Sequence, residues 1–188
     1  MTPVELRTPR LVLDQPGAGD LEAVFEYCQD PVLQRYTTIP VPYRREDAET
    51  FLLELVPRWW EQGIEQTWAI RLADVPGAPL LGVIGARSYG EVGYWMGAPH
   101  RGHGYLGEAL EVVIDHWFGA GNERMTWSCL VGNIASARTA RRAGFHFLGT
   151  GPAKIAHRDG SRPDSWHGEL FAGEPRTPQP GWPAEVLG

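Results

Sequence analysis

A glycine-rich run, Arg101-Gly102-His103-Gly104-Tyr105-Leu106-Gly107, separates a strand pattern ending at Met96 from a helical pattern starting near Gly104. Leu106, Leu110, Val113 and Trp117 form one apolar stripe, widened by Ala109 and Ile114, and a buried-strand run follows at Met125 to Val131. Strand, glycine loop, helix and strand in that order describe a crossover within one sheet. Glycines let the backbone approach a ligand closely, and a helix start offers unpaired N–H groups with a partial positive charge. A phosphate or pyrophosphate suits such a site, and Arg101 adds a full charge at its mouth. The alternative is a loop that needs its glycines only for the turn.

The remaining patterns build a sheet around this unit. Leu6 to Asp14 reads as a first strand, ended by Pro16 and Gly17. Asp20 stands at the N-cap position before Leu21, Val24, Phe25 and Cys28, which share a helical spacing; Val32 to Tyr36 adds a turn after Pro31. Ala48, Phe51, Leu52, Leu55, Val56, Trp59 and Trp60 form a second amphipathic stripe, which Pro57 should kink or split near Val56. Thr67 to Leu72, Leu80 to Ser88 and Val92 to Met96 predict an antiparallel meander. Ala135 to Ala143 predicts a short helix capped by Asn133 and ended by Gly144, with two last strands at Phe145 to Leu148 and Ser165 to Phe171. The expected class is α/β, with a mixed sheet of about seven strands flanked by helices. Residues 1–171 should form one domain, and 172–188 a Pro/Gly-rich tail extending from it as an appendage.

Length and charge narrow the function. At 188 residues the chain has room for one domain with a real core. A net charge of −6 argues against bulk electrostatic attachment to nucleic acid. Two cysteines, Cys28 and Cys129, cannot make a disulfide framework or a four-ligand zinc site, so no metal is expected. No apolar leader and no run long enough for a membrane span are visible, and a soluble cytoplasmic protein is the expectation.

Residues 102–107 also match G-x-G-x-x-G, the dinucleotide fingerprint. That fingerprint needs a strand running straight into the first glycine and an acid ending the next strand. Here Gly97 to Arg101 intervenes, with Pro99 inside it, and the next strand ends in Val131-Gly132-Asn133 without a carboxylate. A nicotinamide-dependent oxidoreductase is therefore set aside.

Glu91-Val92-Gly93-Tyr94-Trp95-Met96, His100-Arg101-Gly102-His103-Gly104-Tyr105 and Glu108-Ala109-Leu110, in that order, resemble the acetyl-CoA-binding core of the GNAT N-acetyltransferases. The R/Q-x-x-G-x-G/A signature falls on Arg101, Gly104 and Leu106, the last departing from the usual small residue. Asn133-Ile134-Ala135-Ser136-Ala137-Arg138, followed by Ala143-Gly144-Phe145, resembles the N-x-x-S-x-R…G-F segment of the RimJ/RimL-like branch. Leu6 to Leu13 and Glu46-Asp47-Ala48 are also typical of that branch, so the resemblance runs from about residue 6 to 171.

The resemblance implies acetyl-CoA as cosubstrate, with its pyrophosphate on the Arg101, Gly102, His103, Gly104, Tyr105, Leu106 and Gly107 loop. It further implies pantetheine alignment by Trp95 and Met96, and CoA contacts from Asn133, Ser136 and Arg138. Ser136 fills the position of a proposed proton donor to the departing thiolate, and Glu91 that of a carboxylate base in some relatives. An N3 helix residue and a polar strand end are their ordinary alternatives, with His100 and His103 as rival bases. Cys129 invites an acyl-cysteine route, but a cysteine on a buried strand is usually inert. Trp59 and Trp60 lie on the helix that borders the acceptor cleft in this family, although core packing is the default for both. The activity implied is transfer of an acetyl group from acetyl-CoA to a primary amine, a protein α-amine or a small molecule, in a ternary complex. A longer acyl donor such as succinyl-CoA, and a non-catalytic CoA-binding sensor, stay open. No nucleic-acid or membrane partner is expected, and a homodimer is compatible with the family.

Overall fold

The computed structural model describes residues 2–188. Eight strands form one sheet in the order β1-β2-β3-β4-β5-β6-β8-β7. They are β1 (Leu6–Arg7), β2 (Leu11–Asp14), β3 (Glu65–Leu72), β4 (Gly82–Arg87), β5 (Glu91–Met96), β6 (Arg124–Leu130), β7 (His146–Pro152) and β8 (Asp164–Phe171). The helices are α1 (Leu21–Tyr27), α2 (Pro31–Tyr36), α3 (Arg45–Glu49), α4 (Val56–Gln62), α5 (Tyr105–Gly119), α6 (Ile134–Arg142) and α7 (Ala184–Leu187).

The single first strand expected over Leu6 to Asp14 is instead a hairpin, which raises the strand number from about seven to eight. Pro9 has no N–H for a ladder, and the Thr8 amide turns back onto the Leu11 carbonyl at 2.9 Å. The long helix is interrupted as Pro57 demands, but by a π-helical stretch at Thr50–Leu55 that leads into α4. Widening the upstream turn accommodates a residue that cannot complete the i→i−4 ladder. Asp20 does not cap α1 with its side chain. Its carboxylate accepts from the Gly17 amide at 2.9 Å and takes two hydrogen bonds from Arg71, at 2.6 and 2.7 Å. A buried carboxylate is better compensated by a two-pronged guanidinium than by one amide.

The principal core lies between the sheet and α5, α6 and α4, and is built on Leu11, Trp68, Ile84, Leu110, Val113, Trp127 and Phe145. A second cluster under α1 and α3 contains Val24, Cys28, Leu33, Ala48, Leu52 and Val83. The two clusters sit on opposite sides of the sheet, as the alternation of side chains along β4 requires.

Residues 172–188 are not an extended appendage. Trp182 is 5% exposed, and both it and Val186 belong to the principal core. The indole of Trp182 packs on Trp127 and Phe147, with ring centroids 5.7 and 5.2 Å away, and donates to the Phe145 carbonyl at 3.3 Å. Arg176 holds the start of the segment against α5 through Glu111 at 2.8 Å and Asp115 at 2.5 Å. The prolines and glycines shape a route back over the body; they do not release it.

Candidate active site

Among the described residues the one parallel strand pair, β5 and β6, is joined at Glu91↔Thr126 and Val92↔Trp127 and then parts. From Gly93 onward β5 keeps β4 on one side, through Ile84↔Tyr94, Val83↔Trp95 and Gly82↔Met96, and has no strand on the other. β6 likewise keeps β8 through Ser128↔His167, Cys129↔Trp166 and Leu130↔Ser165. The strands thus open a wedge whose walls carry backbone donors and acceptors that no ladder uses. A cleft of about 510 Å³ enters this wedge, lined among others by Glu91, Tyr94, Trp95, Cys129, Asn133 and Ser136.

At the narrow end of the wedge stands Glu91, 4% exposed. Its Oε1 accepts from the Ser128 hydroxyl at 2.9 Å and lies 3.7 Å from Arg87 Nη1. Its Oε2 is buried without a hydrogen bond and faces Lys154 Nζ at 3.5 Å. Glu65 completes the group from β3, 3.1 Å from Arg87 Nε. Burial raises the Glu65 carboxyl above its usual value, and Arg87 and Thr67 act against that rise. Gly85 makes room for this carboxylate: a Cβ there would lie 2.2 Å from Glu65 Oε1. The cleft floor therefore holds two carboxylates and two cations, a charged cluster within a cleft of mixed polar and apolar lining.

A hydroxyl relay lies across the cleft. The Asn133 side chain accepts from the Ser136 amide at 3.3 Å, the cap expected from sequence, and so fixes the first turn of α6. Ser136 Oγ accepts from Trp127 Nε1 at 3.2 Å and donates to Tyr94 Oη at 3.4 Å. Tyr94 in turn donates to the Ser136 carbonyl at 3.0 Å. Removal from water pushes the Tyr94 phenol up, so it keeps its proton. In the sequence Tyr94 stands only as part of the Glu91–Met96 motif, with nothing local to pair it with Ser136. The strand alternation that sends Tyr94 to the same face as Val92 was the available signal.

Cys129 lines the same cleft, its thiol donating to the Leu130 and Asn133 carbonyls at 3.4 and 3.7 Å. Burial pushes this thiol up to about 12, and Cys28 likewise. A thiol so raised is protonated at neutral pH and is a poor nucleophile. Iodoacetamide should therefore label the folded protein at pH 8 on the order of a hundredfold more slowly than the unfolded chain. The rate should climb with pH, since only the thiolate reacts. Rapid labelling of Cys129 at pH 7 would contradict this environment.

The glycine loop approaches the wedge from the end of β5. Gly102 and Gly104 have φ of +81° and +79°, and Gly104 leads into α5 with no side chain capping the helix. A Cβ at Gly102 or Gly107 would meet nothing within 4 Å, and at Gly104 only Arg10 Nη2 at 3.6 Å. The space over the loop is open, and the first amides of a 15-residue helix face outward without side-chain partners. Arg10, which sequence reasoning overlooked, braces this loop: it pairs with Glu108 at 2.6 Å, donates to the His103 carbonyl at 3.2 Å and lies over the Tyr105 ring. His103 stacks on the Tyr105 ring, with centroids 5.3 Å apart.

Three expectations need correction. Trp60 does not line the cleft; it is 1% exposed, packs edge-on against Trp68 and donates to the Thr67 carbonyl at 3.0 Å. Helical spacing sets adjacent tryptophans about 100° apart, so Trp59 reaches the cleft and Trp60 the core. Arg101 does not present a free charge at the loop's mouth: it pairs with Asp30 and donates to the Met96 carbonyl at 3.1 Å. Arg138 is also committed, donating to the carbonyls of Val186 at 3.3 Å and Glu185 at 3.2 Å and so holding the C-terminal segment. Leu106 packs against the principal core, which explains a large side chain where the motif has a small one. Neither His100 nor His103 lines the cleft; His100 is bonded to Tyr27 Oη at 2.7 Å, and burial lowers its pKa.

A family model described as the acetyltransferase (GNAT) domain matches residues 10–146, most of the sheet and the whole loop–helix unit. The chain belongs to the GNAT acetyltransferase family. Membership places it among acyltransferases, as the motifs implied. Over 56 residues this GNAT chain is 38% identical to the ribosomal-protein-serine acetyltransferase of Escherichia coli (strain K12). That match covers 29% of the chain and 31% of the relative's length. Among solved structures, RimL, a ribosomal L7/L12 α-N-protein acetyltransferase in complex with coenzyme A, superposes with a TM-score of 0.76 at 18% identity. The superposition covers 89% of this chain and 98% of that one. The microcin C7 self-immunity acetyltransferase MccE, in complex with acetyl-CoA and AMP, gives 0.75 at 20% identity over 87% and 93% of the two chains. Both share the GNAT fold. Among the described residues no helix is long and apolar enough to cross a membrane, and no cluster of His, Cys, Asp or Glu could hold a metal ion.

Proposed function

We propose that this GNAT chain transfers an acetyl group from acetyl-CoA to a primary amine by direct attack in a ternary complex. The observation that carries the reading is the wedge where β5 and β6 part, with a buried carboxylate at its apex and an uncapped helix start at its mouth. An extended, amide-bearing donor with a diphosphate suits those two features together. The amides of residues 102–107 would hold the pyrophosphate, and the free edge of β5 at Gly93 to Met96 the amide-rich arm. Arg10 fixes the loop for that purpose, whereas Arg101 and Arg138 serve by holding their elements in place.

Glu91 is the base that takes the proton from the incoming ammonium, because its Oε2 lies in the cleft with no hydrogen bond of its own. The neutral amine then attacks the thioester carbonyl; the N–C bond forms as the C–S bond breaks, and the nitrogen loses its second proton to water. The leaving thiolate takes a proton from the Ser136–Tyr94 hydroxyl pair, whose phenol is protonated throughout the working range. Trp59 and Phe51, stacked edge-on at 6.1 Å, give the acceptor an aromatic wall. The acceptor is a protein α-amine or a small-molecule amine: RimL and the Escherichia coli relative are named for ribosomal-protein acetylation, and MccE for self-immunity. The high thiol pKa of Cys129 favours this route over an acyl-cysteine intermediate.

Release of free CoA from acetyl-CoA, followed with a panel of small amines and of peptides bearing free α-amines, tests the reading. Amine-dependent release supports it; binding of acetyl-CoA without release for any amine points to the sensor. Succinyl-CoA in parallel reads out the acyl preference. Ser136→Ala should lower kcat by about 10–100-fold with little change in acetyl-CoA affinity. An unchanged kcat would remove the relay. Gly104→Val should weaken acetyl-CoA binding by at least about tenfold, since its side chain enters the space over the loop. It should also cost roughly 1–2 kcal/mol of stability, because φ is +79° there. Wild-type affinity in the folded variant would contradict the loop's role.

A further inference from the structure

Of the chain's 17 lysines and arginines, Lys154 is the single lysine, and it stands in the cleft. Its ammonium lies 3.5 Å from Glu91 Oε2, the carboxylate oxygen that has no hydrogen bond. The approach is built rather than casual. Lys154 belongs to the turn between β7 and β8, where Arg162 donates to the carbonyls of Ala153, at 2.9 Å, and of Lys154 itself. Arg158 of the same turn donates to the carbonyls of Thr37 and Ile39 across the cleft mouth, at 3.2 and 2.8 Å. Two arginines therefore hold in place the backbone that delivers the one lysine.

A purely structural partner for Glu91 would be better served by arginine, whose planar fork matches a carboxylate and which this chain uses at every other basic position. What lysine has and arginine lacks is a primary amine that becomes a nucleophile once it loses a proton. Resting on the acetyl-transfer reading above, we propose that Lys154 is itself an acceptor, and that the chain acetylates this residue in its own cleft. Glu91 takes one proton from the Lys154 ammonium, and the neutral Nζ attacks the thioester carbonyl of acetyl-CoA. The N–C amide bond forms as the C–S bond breaks. The second nitrogen proton is lost to water, and the CoA thiolate is protonated through Ser136 and Tyr94. The products are Nε-acetyl-Lys154 and free CoA. Modification removes the cation facing Glu91, leaving the cleft floor with Arg87 alone against two carboxylates.

Intact-mass measurement and peptide mapping of the full chain incubated with acetyl-CoA, with no added amine, provide the test. The expected result is one acetyl group on Lys154, absent at that position in Lys154→Arg. Its appearance should slow at least roughly tenfold in Glu91→Gln and under excess free CoA, which competes for the donor site. Modification that free CoA does not slow is chemical acetylation and overturns the proposal. An unmodified Lys154 in protein that acetyl-CoA stabilises against heat, or that releases CoA onto an added amine, overturns self-acetylation while leaving the transfer reading intact. An unmodified Lys154 in protein that neither binds acetyl-CoA nor turns it over removes both.

Discussion

Glu91→Gln is expected to lower kcat for amine acetylation by about 10²–10⁴, with acetyl-CoA affinity close to wild type. Glutamine keeps the shape of the side chain and its contact with the Ser128 hydroxyl, but it cannot take a proton from an ammonium. The replacement leaves Arg87 facing Glu65 and frees the half-exposed Lys154 to turn toward water, so the fold should survive. Thermal unfolding run beside the kinetics separates the two effects. A near-wild-type rate in a folded variant would show that the amine loses its proton elsewhere, and Glu91 would become a structural member of the cleft floor.

Trp182→Ala should cost about 3–5 kcal/mol, lowering Tm by very roughly 6–20 °C for a domain of this size. The indole fills space against Trp127 and Phe147 and donates to the Phe145 carbonyl, and its removal leaves a cavity in the principal core. The effect should reach the cleft, because Trp127 also donates to Ser136 Oγ. A loss under about 1 kcal/mol would mean that the C-terminal segment does not cover this part of the core.

These two residues mark what the sequence could and could not reveal. The place of Glu91 at the start of β5 was legible only through the family resemblance, since the strand pattern itself begins at Val92, and the Asn133 cap was legible because a cap before a helical pattern is a local feature. The crossover order made a parallel pair of β5 and β6 legible, but not their parting after Val92. Trp182 was not legible: four prolines and three glycines between 172 and 188 read as an open tail, and no local pattern says that one aromatic in such a segment returns to the core. Trp60 failed in the same way while Trp59 beside it lines the cleft, since adjacent residues of one helix point to different surroundings and only the third dimension assigns them. Arg101 and Arg138 were given to a ligand because the motif contains basic residues there; their protein partners, Asp30 and the backbone at Glu185 and Val186, lie tens of positions away. The Tyr94–Ser136 relay and the Lys154–Glu91 pair likewise join elements that only tertiary packing brings together.

The most direct test of the central claim is a thermal shift with acetyl-CoA, CoA and NAD compared on the same protein. At about 100 times Kd a ligand adds roughly 2.7 kcal/mol to the folded state. For this chain that is a rise in Tm of very roughly 5–10 °C. The account predicts such a rise with both CoA species and none with NAD. A rise with NAD alone would contradict it and return the 102–107 glycines to a dinucleotide role; no rise with any of the three would leave the wedge and its loop without the ligand assigned to them.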